Sequence, residues 1–241
     1  MSVQVARPQR AHTRVIAIVD LQSVLAAELS METVLERALA QRVGAVLLRA
    51  KGVDPEQARQ LDWLRLIEAI ERSESQLILH ESVTTRLDAS TIAGSWEHWS
   101  SASLWKHVER SAFDAEIQEA SRAVLRKPRC FGVSAHSLAE LEHAEGFGAS
   151  WAFVSPFMPT ASKPGYGPTL GLPGVKELCR HTSLPVFALA GVCAETVLGL
   201  GATGAAGVAV MGMLAHRRAA EELQRLFQRM EDEPWSRQTP W

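Results

Sequence analysis

The chain alternates short runs of apolar residues with longer stretches in which apolar positions recur at helical spacing. The runs are VIAIV (15–19), AVLLR (45–49), LILH (77–80), IAGSWEH (92–98), CFGVS (130–134), WAFVS (151–155), PVFALA (185–190) and GVAVMG (207–212). Strands that are apolar on both faces belong in a parallel sheet covered by helices, where neither face meets water. Between the runs, Trp63, Leu66, Ile67 and Ile70 fall at i, i+3, i+4 and i+7, as do Leu223, Leu226, Phe227 and Met230. Each set lines one face of a helix. Ser137 with Glu140 three residues later forms a capping box, which starts a helix containing Leu138 and Leu141. The fourth unit, residues 82–113, is the weakest, because SWEHWSSASLW has no clean period.

Eight strand-like runs alternating with helices over about 220 residues predict an α/β fold, a single-domain (β/α)8 TIM barrel with parallel strands. A doubly wound open sheet has the same alternation and stays open on pattern alone. No linker rich in Gly, Pro or Ser divides the chain, so residues 14–231 read as one domain. Residues 1–13 read as a disordered leader, and residues 232–241 as a tail that cannot continue the last helix past Pro234.

Composition narrows the function classes. The 241 residues are 46% hydrophobic and 22% charged, with 25 basic and 27 acidic side chains. A single domain of this size buries roughly 70–75% of its unfolded surface, enough to need no disulfide or structural metal. The balanced charge argues against nucleic acid, which calls for a basic excess on one face. No run approaches the length of a membrane span, and the basic first residues lack a signal peptide's apolar core. Cys130, Cys179 and Cys193 are odd in number and unpaired by spacing, which fits a reduced, cytoplasmic setting. A homo-oligomer stays open.

In such a barrel the chemistry sits at the carboxyl ends of the strands. That rule selects Asp20, Arg49, Lys51, His80, Glu81, His98, Ser134, His136, Thr160 to Lys163, Gly191 and Gly212, a set with phosphate-binding character. The segment from 131 to 171 is the most informative. It holds a strand ending in Ser134-Ala135-His136-Ser137, a capped helix, a second strand, and a loop rich in Pro and Gly that carries Thr160, Ser162 and Lys163. Hydroxyls and one ammonium on such a loop suit a lid over a phosphorylated ligand, although a loop of this composition is also often a plain connector.

Residues 15–230 resemble the thiamine phosphate synthase and TenI superfamily of TIM barrels, through VSAHSLAEL, PTASK, PVFALAGV and GATGAAGVAVMG in that order. The resemblance implies that Thr160, Ser162 and Lys163 handle phosphates and that Gly191, Met211 and Gly212 supply backbone sites for a thiazole phosphate. Glycine-exposed amides after strands 7 and 8 fit that role independently. In the synthases of this family a thiazole phosphate attacks a pyrimidine pyrophosphate held by magnesium and basic residues. Here Leu47 stands where the basic strand-2 motif begins with glutamine, while the cations Arg49 and Lys51 are kept. His80-Glu81 replaces an Asn-Asp pair, and Ser103 takes the place of the second magnesium aspartate. Glu81 is the one metal-ligand candidate left, and Mg2+ wants more carboxylate oxygen than that.

The TenI-type branch isomerises a thiazole carboxylate phosphate with a histidine as proton carrier and needs no metal or other cofactor. His136 aligns with that histidine, and an imidazole is suited to give and take a proton at neutral pH. A histidine just before a helix is also often only a structural hydrogen-bonding group. The sequence therefore predicts a TenI-like thiazole tautomerase, with His136, Lys163 and Ser134 as catalytic candidates. A divergent synthase using Mg2+ and a catalytically silent binder are the alternatives.

Three further patterns carry bland readings. His80-Glu81-Ser82-Val83-Thr84 lacks the second histidine of a zinc-protease helix. GATGAAG precedes a strand, unlike a dinucleotide fingerprint, and reads as a turn into strand 8. Trp96, Trp99 and Trp105 with His98 and His107 read as packing of a helix on the barrel wall.

Overall fold

A computed structural model describes residues 12–88, 90–92, 95–106, 130–160, 165, 167–231 and 233–235. Eight parallel strands close into a barrel in chain order. They are β1 (Val15–Asp20), β2 (Ala45–Arg49), β3 (Gln76–His80), β4 (Trp96–Trp99), β5 (Phe131–Ala135), β6 (Trp151–Val154), β7 (Val186–Leu189) and β8 (Gly207–Val210). The closing pair is β1 with β8, in register at Val15 with Val208. Closure settles the choice between a barrel and an open sheet, and it leaves no edge strand to protect. Each predicted run contains its strand, within a residue or so, except the fourth, where the prediction spans 92–98 and the strand is only Trp96–Trp99.

Alternation along the strands divides the core in two. Ile16 and Ile18, Ala45 and Leu47, Ile78, Trp151 and Phe153, Phe187 and Ala209 form the cluster inside the barrel. The intervening Val15, Ala17, Val19, Val46, Leu48, Leu79, Val133, Ala152 and Val154 join the cluster between strands and helices. Side chains two apart share a face of a strand, so one register fixes both cores. Trp151 fills the barrel interior because its neighbour across the ladder is Gly132; a Cβ there would lie 2.1 Å from Trp151 Cε2.

The helices start where the sequence supplies caps. Asp20, Ser30, Asp54, Asp62 and Ser137 each accept a hydrogen bond from a backbone N–H in the first turn. Trp63, Leu66, Ile67 and Ile70 are the buried face of helix Trp63–Glu71, and Leu223, Leu226, Phe227 and Met230 belong to the buried face of Ala219–Glu231. Past this last helix, Glu233 accepts from Gly199 N and Gly201 N, and Trp235 Nε1 donates to Met230 O. No described helix is long and apolar enough to cross a membrane.

Candidate active site

The carboxyl ends of the strands bring three groups of residues to one rim. On the β1–β2 side, register opposes Asp20 and Arg49, and Arg49 Nη1 donates to Asp20 Oδ1 at 2.6 Å. Asp20 is buried and also caps helix Leu21–Ala26 through Ser23 N and Oγ. One of the two candidate cations is thus held by a buried carboxylate, while Lys51, beyond the strand end, is exposed.

The β3–β4 side carries the two buried histidines. Register sets His80 beside His98, with ring centroids 5.5 Å apart. His80 Nδ1 accepts from Ser82 N at 3.0 Å, so its neutral ring carries the proton on Nε2. Burial, reinforced by Arg49 and Lys51 and opposed by Glu81, lowers its pKa to about 4. His98 packs against Trp151 and Phe153, at centroid distances of 5.4 and 4.8 Å. Burial is also the first cause holding its pKa well below the usual value, and the neighbouring His80 is the second. His98 Nε2 lies 3.3 Å from Ser134 Oγ, so a neutral imidazole backs this serine from inside the barrel. The Val133 backbone favours the protonated form of His98, but among the described residues Nδ1 meets no partner in hydrogen-bond geometry.

Glu81 does not project alone from this corner. Its Oε1 accepts from Ser100 N at 3.3 Å and Ser100 Oγ at 2.7 Å, and Ser103 Oγ lies 3.2 Å from Ser100 Oγ. The carboxylate therefore holds Ser100, whose own Oγ accepts from Ser103 N at the start of the helical residues 101–106. Among the described residues no three His, Cys, Asp or Glu groups gather as a metal would require. One carboxylate already accepting two bonds, neutral imidazoles and serine hydroxyls do not fit Mg2+, which takes carboxylates with near-octahedral geometry.

On the β5–β7 side, His136 follows β5 and is exposed. Its Nδ1 donates to the backbone carbonyl of Ser155, just past β6, at 2.8 Å. That bond fixes the tautomer and makes Nε2 the basic nitrogen of the neutral ring. The loop that follows is fastened at its neck. Phe157 N and Met158 N donate to Leu189 O and Ala190 O at the end of β7, and Leu170 N and Gly171 N donate back to Pro156 O and Phe157 O. Gly191 lies under this neck with φ +67, and a Cβ on it would come within 2.6 Å of Pro159 O. Thr160 is partly buried on the same loop; Ser162 and Lys163 lie outside the described residues. After β8, Met211 packs partly against the inner cluster, and Gly212 opens helix Gly212–Ala215 onto empty space.

Of the candidates, Arg49, His80, Glu81, His98, Ser134 and His136 thus stand on consecutive strand ends, and Gly191 lies against Met158 and Pro159, which precede Thr160 on the loop. Glu81 is drawn into structure instead of standing ready for a metal. The tryptophans divide: Trp96 packs against the inner cluster, Trp99 stacks on Phe131 at 4.5 Å outside it, and Trp105 touches His143 at 4.1 Å. His107 lies outside the described residues. The sequence reading missed the Ser155 carbonyl and the two bonds that the Glu140 carboxylate accepts, from His136 N and from Ser101 Oγ. A carbonyl has no sequence signal; Glu140 had one in the capping box.

The sequence pattern of the family described as thiamine monophosphate synthase matches residues 15–214. A thiamine-phosphate synthase of Salinispora tropica is 42% identical over 97 residues, 40% of this chain and 47% of that protein. The thiamine-phosphate synthase of Levilactobacillus brevis is 33% identical over 111 residues, 46% of this chain and 50% of that protein. The chain spans about half the length of these two curated relatives. A putative thiamine-phosphate synthase of Geobacter sulfurreducens is 30% identical over 181 residues, 75% of this chain and 78% of that protein. Among solved structures, a thiamine phosphate pyrophosphorylase from Pyrococcus furiosus has a TM-score of 0.65 at 16% identity, covering 92% of this chain and 98% of its own. At that identity the likeness is one of fold.

Proposed function

The chain belongs to the thiamine monophosphate synthase family, and on that premise we propose that it binds a thiazole phosphate at the carboxyl ends of the strands and isomerises the ring by proton transfer at His136. The observation that carries this reading is the bond from His136 Nδ1 to the Ser155 carbonyl, which puts the basic lone pair of the neutral ring on Nε2. The isomerisation removes one proton from the ring and returns one elsewhere, so it needs no oxidant and no second substrate. Phosphate binding falls to the amides around Gly191 and Gly212, and Thr160, Ser162 and Lys163 are assigned to it by the family resemblance alone. Ser134, backed by His98, offers a hydroxyl beside the same ligand.

A second reading is the coupling of thiazole phosphate to a pyrimidine pyrophosphate, with Arg49 and Lys51 toward the pyrophosphate and Glu81 toward Mg2+. The names of the relatives favour this reading over the first. The donors at the β3–β4 corner weigh the other way, because the remaining carboxylate is committed to Ser100. The family is one of biosynthetic enzymes acting on phosphorylated small molecules, and a cytoplasmic setting is part of the proposal. The test is to add the carboxylated thiazole phosphate to the purified chain and follow aromatisation by ultraviolet absorbance, with and without chelator. Turnover indifferent to chelator supports isomerisation; no turnover from a chain that binds the thiazole phosphate removes it.

A further inference from the structure

We infer that Glu140 is a positioning residue for His136 and couples it to the loop after β4, an inference that rests on the proton-transfer reading above. In an ordinary capping box the glutamate reaches back to the N–H of the cap residue itself. Here Ser137 caps as expected, with its Oγ accepting from Glu140 N at 3.3 Å. The Glu140 carboxylate, however, extends past Ser137. One oxygen accepts from the backbone N–H of His136, and the other accepts from Ser101 Oγ across the neighbouring loop.

Ser101 opens the helical residues 101–106, and Ser100 before it is held by Glu81. His136 is therefore gripped twice, at its peptide nitrogen from the β4 side and at its ring from the β6 side by the Ser155 carbonyl. Hydrogen bonds to a carboxylate are about twice as strong as neutral ones, and both Glu140 oxygens are engaged, so the side chain cannot turn without losing the pair. A base that transfers a proton within hydrogen-bond reach is sensitive to small displacements, and the brace removes the freedom of the segment that carries it. Glu81 is the far anchor of the same line of contacts, which gives the acid at the β3 end a task that involves no metal.

The variant that separates coupling from simple capping is Ser101→Ala, which removes the arm across the loops and leaves the Ser137 cap intact. The readout is the Hε1–Cε1 resonance of His136 followed through a pH titration of the full chain without ligand. The expected result is a melting temperature within about 2 °C of the parent, together with a displaced His136 resonance and a changed titration midpoint. Glu140→Gln keeps one acceptor oxygen for His136 N and can donate its amide to Ser101 Oγ, so it is expected to lie between the parent and Glu140→Ala, which displaces the resonance most. A His136 signal in Ser101→Ala that superimposes on the parent throughout the titration overturns the coupling. Because no substrate is used, this failure is separate from any failure of the isomerisation reading. In the isomerisation assay, Ser101→Ala is expected to lower kcat about tenfold with KM unchanged.

Discussion

Gly191 lies directly beneath Met158: a Cβ on the glycine would stand 2.6 Å from Met158 Cβ and as close to the Pro159 carbonyl oxygen. The loop neck and the end of β7 are therefore packed backbone to backbone, and glycine is required there twice, for the contact and for its φ of +67. Gly191→Ala is expected to cost about 1–3 kcal/mol and to weaken thiazole phosphate binding as the neck lifts. Thermal unfolding and calorimetric titration with thiazole phosphate check the two effects separately.

Asp20 is buried under Arg49 while capping helix Leu21–Ala26, so its carboxylate serves two elements at once. Asp20→Ala leaves Arg49 without its partner and the helix without its cap. The expected loss is about 3 kcal/mol in denaturant unfolding. Arg49→Met strands the buried carboxylate instead and is also destabilising, so equal losses in both variants identify the pair as structural.

The buried histidines make stability depend on pH. A ring with a pKa of 6.5 when unfolded and about 4 when folded takes up its proton on unfolding between these values. Stability is thus full above pH 6.5 and falls as the pH drops toward 4, by about 3 kcal/mol for His80 alone. His80→Asn keeps a side-chain acceptor for Ser82 N and removes the titration. Its stability, measured by urea unfolding from pH 7 to 4, is expected to fall less steeply than that of the parent, by about one proton at pH 5.

Much of this architecture was legible in the sequence, for reasons visible in particular residues. The strand runs are apolar on both faces because Ile16 and Ile18 look into the barrel while Val15, Ala17 and Val19 look toward the helices. The fourth strand was blurred because it carries buried His98 among Trp96 and Trp99, and an imidazole packed against Trp151 and Phe153 does not read as an apolar position. The rim residues were found by their place at strand ends. The Glu140 contacts were not, because a capping-box pattern does not say which N–H the glutamate takes or that Ser101 lies within reach.

His136→Gln keeps the size of the ring but removes its basic nitrogen. Isomerisation is expected to fall at least about a hundredfold, with the affinity for thiazole phosphate changed less than about threefold. Single-turnover kinetics and calorimetry together read both. Unchanged turnover assigns the proton transfer to another group.

The central claim is that this barrel keeps a thiazole phosphate site and has given up magnesium-held pyrophosphate. The most direct measurement is the formation of thiamine phosphate, read as thiochrome fluorescence, from thiazole phosphate and pyrimidine pyrophosphate with Mg2+ or with chelator. With Glu81 committed to Ser100, the expected result is no product under either condition from protein that binds thiazole phosphate. Product that forms with Mg2+ and disappears with chelator contradicts the account and establishes the coupling reaction in its place.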